Sequence, residues 1–151
     1  MKKLLLVLAV MFSAYAGFAQ DDKNADSIKA QIDNKSFVFI ARSALPLRGS
    51  MISLSPTYDV QVSSDTVRAY LPYYGKAHTA VYPGDETAIK FTSLKSDYTV
   101  KATKHGWNVT IKPKDVPNSV TMNFNISKSG NVLLHVSDYK RDAITFHGYI
   151  D

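Results

Sequence analysis

Residues 120–127 read Val-Thr-Met-Asn-Phe-Asn-Ile-Ser. Val120, Met122, Phe124 and Ile126 alternate with Thr121, Asn123, Asn125 and Ser127, a period of two. Successive side chains of a β-strand point to opposite sides, so this stretch specifies a strand with one dry face and one wet face. The period recurs outward in both directions. Downstream, Val132, Leu134 and Val136 repeat it, as do Ile144, Phe146 and Ile150. Upstream, Trp107, Val109 and Ile111 alternate with Asn108, Thr110 and Lys112, and Tyr98, Val100 and Ala102 with Thr99, Lys101 and Thr103. Val67, Ala69 and Leu71 alternate with Thr66, Arg68 and Tyr70, and Tyr58, Val60 and Val62 with Asp59, Gln61 and Ser63.

Turn chemistry separates these runs, at Ser64-Asp65, Lys104-His105-Gly106, residues 113–118, Ser129-Gly130-Asn131 and residues 139–142. Links this short join antiparallel neighbours, because parallel pairs need long crossovers. With 37–44, 51–54 and 88–93 the count comes to about nine strands. The expected fold is all-β, an antiparallel barrel or a two-sheet sandwich, with one short N-terminal helix. Both architectures satisfy the alternation. Residues 36–151 are expected to form a single antiparallel domain.

Residues 20–35 form the lead-in. Ala25, Ile28 and Ile32 fall on one helical stripe, with Asp21 or Asp22 available as a cap. Phe37-Val38-Phe39-Ile40 departs from clean alternation by being apolar on both faces. The helix, through Ile28 and Ile32, is expected to cover the second face of that strand.

Residues 1–19 carry an address. Lys2 and Lys3 precede an apolar run over 4–12, and small residues lead to Gly17-Phe18-Ala19. This is the pattern of a signal peptide cleaved before Gln20, and the apolar run is too short to span a bilayer. The chain is therefore expected to be periplasmic or extracellular. No later segment approaches the length of a membrane span. The 151 residues contain no cysteine, which excludes disulfides, thiolate zinc sites, a thiol nucleophile and a lipid anchor on cysteine. The formal charge of +5 includes Lys2 and Lys3, so cleavage leaves +3. A charge this small, spread among acids, serves solubility and is no nucleic-acid footprint.

The sequence contains no G-x-G-x-x-G, P-loop, H-E-x-x-H, G-x-S-x-G or EF-hand pattern. Ser137-Asp138-Tyr139-Lys140 matches S-x-x-K only as a string, in a strand-to-strand turn. Glu86, the sole glutamate, adjoins Asp85 in a Pro-Gly-flanked loop and does not form the opposed carboxylate pair of a glycosidase. His78, His105, His135 and His147 are the four histidines. His135 and His147 share the wet face of the last two strands, and one even register sets them side by side as a weak two-ligand metal pair. Surface residues are the simpler reading. No catalytic residue, metal site or cofactor is assigned.

The most unusual stretch is Tyr70-Leu71-Pro72-Tyr73-Tyr74-Gly75-Lys76-Ala77-His78, followed by Tyr82-Pro83-Gly84. Rigid tyrosines in a loop beside a β-scaffold make a recognition surface, so Tyr70, Pro72, Tyr73, Tyr74, Lys76, His78 and Tyr82 are the candidate binding residues. The competing reading is that they plug one end of the barrel, with their hydroxyls satisfied by nearby backbone. The segment resembles the YLPYFGRAY-type stretch of a domain-of-unknown-function family of small exported bacterial β-proteins, the DUF4251 type. The likeness extends to Phe37, Phe39, Ala41, Pro46, Gly49, Tyr58, Val60, Val62, Asp65, Ile89 and Phe91. Further along it takes in Gly130, Val136, Arg141, Ile144, Phe146, Gly148 and Ile150. Lys76 and His78 stand where that pattern has Arg and Tyr. The resemblance implies export and a β-fold and supplies no mechanism.

Asp26-Ser27-Ile28 and Asp65-Thr66-Val67 resemble bacterial O-glycan acceptors. Asn108-Val109-Thr110 and Asn125-Ile126-Ser127 fit the N-glycan sequon. The expected function is a non-enzymatic exported module that binds a small apolar or amphipathic molecule or an envelope component, with the tyrosine-proline loop as rim. A closed barrel of about eight strands has room for one such ligand. The alternative is a cavity-free module that docks a protein or glycan through an aromatic patch. A hydrolase using His78, Lys76 and Asp85 is the remotest reading, because no base–orienter pair can be placed.

Overall fold

The computed structural model describes residues 24–76, 88–117 and 119–151. The expected signal segment, the helix cap at Asp21 or Asp22 and the Asp85-Glu86 loop lie outside them. One helix, α1, spans residues 24–33. Ten strands follow: β1 (Phe37–Pro46), β2 (Ile52–Ser53), β3 (Asp59–Val62), β4 (Val67–Leu71), β5 (Ile89–Ser93), β6 (Ser96–Thr103), β7 (Gly106–Pro113), β8 (Thr121–Ser127), β9 (Asn131–Asp138) and β10 (Arg141–Ile150).

All are antiparallel to their neighbours in one sheet, ordered β5-β4-β3-β1-β10-β9-β8-β7-β6. The long β1 pairs through its first half with β3 and through its second half with the short β2. The ends of the order, β5 and β6, are consecutive in the chain and separated only by Leu94 and Lys95. The registers make them run in the same sense. They are two halves of one bent strand, the first paired with β4 and the second with β7. The sheet therefore curls back on itself as a nearly closed barrel, and the sandwich is set aside.

The seam is tied by polar contacts. The buried Ser93 hydroxyl meets the Asp115 carboxylate and lies 3.0 Å from Ser96 Oγ, while Leu94 N–H donates to Asp115 at 2.8 Å. Ser93 thus sits beside Val67 at the start of β4 and Asp115 just beyond the end of β7. That offset is the stagger a tilted-strand barrel requires.

The alternation puts the expected residues inside. Phe39, Phe124, Phe146, Leu71, Ile111 and Leu134 are fully buried. Phe39 and Phe124 meet edge to face with ring centres 5.9 Å apart, and Phe37 meets Phe124 at 5.7 Å. β1 and β8 are three places apart in the strand order, so these rings touch across the interior. Among the described residues the inward side chains join in one buried cluster.

Two local expectations change. Ile28 and Ile32 are buried, but in the same cluster as the inward side chains. The helix closes one end of the barrel: Tyr98 of β6 donates to the Ile32 carbonyl at 2.9 Å, and Asn24 to the Ser129 carbonyl in the β8–β9 turn at 3.4 Å. Val38 and Ile40, whose outer face was to be covered, stay half-buried. The helix ends at Asp33, and the φ of 50° at Lys35 lets Ser36 N–H reach the Gln31 carbonyl and Lys35 N–H reach that of Ile32, a Schellman ending. The histidines are not directly opposed: His135 faces Thr145, with Nδ1 3.1 Å from its hydroxyl, and His147 faces Leu133. The β9–β10 register is offset by two residues from the one that would pair them.

Candidate functional site

The tyrosine-proline segment leaves β4 at the barrel end opposite the helix. Alternation along β4 turns Leu71 inward and Tyr70 outward, and Pro72 continues the chain buried. Tyr70 packs its ring on Tyr58 with centres 5.4 Å apart. Tyr73 turns back against the β9–β10 turn. Its hydroxyl proton is shared between the carbonyl oxygens of Lys76, at 3.1 Å, and Asp142, at 3.0 Å. Asp142 N–H returns a bond to the Lys76 carbonyl at 3.1 Å. Gly75 is required here, because a side chain would run into the Tyr73 ring.

The turn that receives Tyr73 is itself braced. Arg141 Nε donates to Asp138 at 2.8 Å, and the Asp138 side chain is 5% exposed. The Arg141 guanidinium lies 4.9 Å from the Tyr73 ring centre and reaches the Ala88 carbonyl at 3.5 Å. Lys140 N–H donates to Asp138 at 2.6 Å. One ion pair thus holds three segments: the β9–β10 turn, the stretch after β4 and the residue before β5. A guanidinium stacked on a phenol while donating to a carboxylate and to a backbone carbonyl suits Arg better than Lys. Burial, then the negative charge of Asp142, pushes the Tyr73 phenol above its usual range. It stays neutral at ordinary pH and acts as a donor to backbone.

The structure thus divides the candidates. Pro72 and Tyr73 are anchors, Lys76 contributes its backbone, and Tyr70 and Tyr74 keep exposed rings. His78 and Tyr82 lie outside the described residues. Reading the sequence for sites missed Asp138 and Arg141; an acid and an arginine three apart in a turn were the available signal. It also missed Tyr139, which stands 67% exposed beside the clamp with Lys140 Nζ 5.7 Å from its ring centre. Tyr74 is 39% exposed.

A groove also lies at the other end of the barrel. An open groove of about 380 Å³ runs between the helix and the ends of β1 and β3, with Gln31, Val38, Gln61 and Asp151 in its walls. The described residues hold no group of three His, Asp or Glu placed to bind a metal ion, and no helix among them is long and apolar enough to cross a membrane.

The model of a domain of unknown function, DUF4251, matches residues 19–150. The chain belongs to this family. A crystal structure of a DUF4251 family protein from Bacteroides eggerthii DSM 20697 is similar at a TM-score of 0.63 and 19% identity, over 87% of this chain and 89% of that one. At that identity the likeness shows the fold. No curated protein matches in sequence. The expected family resemblance is thus met. No activity comes with the DUF4251 family's description.

Proposed function

We propose that this DUF4251 chain is an exported, non-enzymatic module that docks a protein or glycan of the cell envelope through the exposed tyrosines of the clamped barrel end. The observation that carries this reading is the contrast within one cluster. Tyr73 is locked by backbone and guanidinium, while Tyr74 and Tyr139 project from the segments it joins. Aromatic side chains on a rigid support give large contact area at small entropic cost. The Phe37, Phe39 and Phe124 rings that meet across the interior favour this surface over a cavity for a small molecule. Export rests on the Lys-Lys head, the apolar run and the small residues before Gln20.

The test is binding of the purified protein to a panel of envelope glycans and to envelope proteins captured by crosslinking. Tyr74→Ala with Tyr139→Ala is expected to abolish the interaction while circular dichroism stays unchanged. Binding that survives both substitutions would overturn the assignment. A lipid or other small molecule found by native mass spectrometry would favour the cavity reading instead.

A further inference from the structure

Among the described residues, β6 carries an edge with no strand paired to it. β4 begins at Val67, opposite Ser93, so among the described residues no strand pairs with the bent strand on that side from Ser96 onward. Among the described residues, 97–103 pair with β7 alone; the Tyr98 ring packs against the core with its hydroxyl on Ile32 and the Lys35 ammonium over it, and Asp97 makes a surface ion pair with Lys114. On the face that continues the barrel interior, Val100 is 37% exposed and Ala102 is exposed too. Such an edge is a template for another strand. Lysine on an edge strand ordinarily repels one, and Lys101 stands here with no carboxylate beside it among the described residues.

The sequence of the edge supplies the missing partner. Asp97-Tyr98-Thr99-Val100-Lys101 is complementary to itself when read in the opposite direction. A two-fold axis at Thr99 sets Asp97 opposite Lys101 of a second copy, Tyr98 opposite Val100, and Thr99 opposite its own equivalent. Both ion pairs fall on one face and both apolar pairs on the other. We propose that β6 pairs antiparallel with β6 of a second copy of this chain, about Thr99, joining two barrels into one continuous sheet. The contact is isologous, so it closes at two copies and does not propagate. It is small beside a standard interface, and the dimer is accordingly weak and reversible. It lies away from the tyrosine end, so either assignment can fail without the other.

Sedimentation equilibrium on the purified protein, over concentrations reaching about 1 mM, reads the affinity directly. Lys101→Glu and Asp97→Lys each set like charges opposite one another and are expected to weaken the dimer at least about tenfold. The double exchange Asp97→Lys with Lys101→Glu restores opposite charges and is expected to recover it. Because the chain has no cysteine, Thr99→Cys offers a second reading: on the axis it should link two copies under mild oxidation far faster than Thr103→Cys. A monomer throughout the series, single exchanges without effect, a double exchange that fails to recover, or equal crosslinking at both positions would each overturn the proposal.

Discussion

Tyr73 gives its hydroxyl to the backbone, and that decides what kind of residue it is. Tyr73→Phe keeps the ring under Arg141 but leaves the Lys76 and Asp142 carbonyls without their shared donor. Urea unfolding should show a loss of about 1 kcal/mol. Tyr74→Phe, at an exposed ring with no hydroxyl partner among the described residues, should change stability by less than about 0.5 kcal/mol. Equal losses at the two positions would refute the division into anchor and surface. Gly148 makes a different demand: a Cβ there would run into the Ile40 carbonyl and the Phe39 ring, where β10 lies against β1. Gly148→Ala should cost about 1–3 kcal/mol in the same measurement. None of this was legible from adjacent residues. The tyrosine run advertised rigidity, but which phenol would be consumed depended on a turn some 65 residues away, roughly half the chain.

The strands were legible because burial on one face imposes a period of two whatever the neighbours are. The helix was legible too, as the stripe of Ala25, Ile28 and Ile32, but its destination was not. Amphipathic pattern states that a face must be buried and is silent on what buries it. Ile32, with no exposed surface, should lose about 2–5 kcal/mol on substitution by alanine. Removing residues 20–34 should lower the melting temperature, and an unchanged melt would refute the plug. The Tyr98 phenol that binds the helix end is raised well above its ordinary 10.0 by burial, with the Asp33 charge adding to it. A raised value means the stabilisation is complete below about pH 10 and is lost as the pH climbs beyond it. Melting temperature should fall on that alkaline limb, and less so in Tyr98→Phe. A parallel decline in both proteins would remove Tyr98 from the account.

At the scale of the whole molecule, the ambiguity between barrel and sandwich ended at Leu94 and Lys95. Alternation fixes faces, not which distant strands meet, so the β1–β10 pairing and the bend joining β5 to β6 lay beyond it. The seam has a pH signature of its own. Hydrogen bonds from Ser93 first, then from Leu94 N–H, hold the Asp115 carboxyl below its ordinary 3.8. A depressed carboxyl adds stability that is present above that value and disappears as acid protonates it. Ser93→Ala should flatten the acid limb of the stability curve, and an unaltered limb would place the tie elsewhere. The central claim, that one sheet curls until its inward side chains meet in one buried core, is tested most directly by nuclear Overhauser contacts between the rings of Phe39 and Phe124. The account predicts strong ring-to-ring contacts and no contact from either ring to water. Rings that show no mutual contact, or that exchange magnetisation with water or a bound molecule, would contradict it.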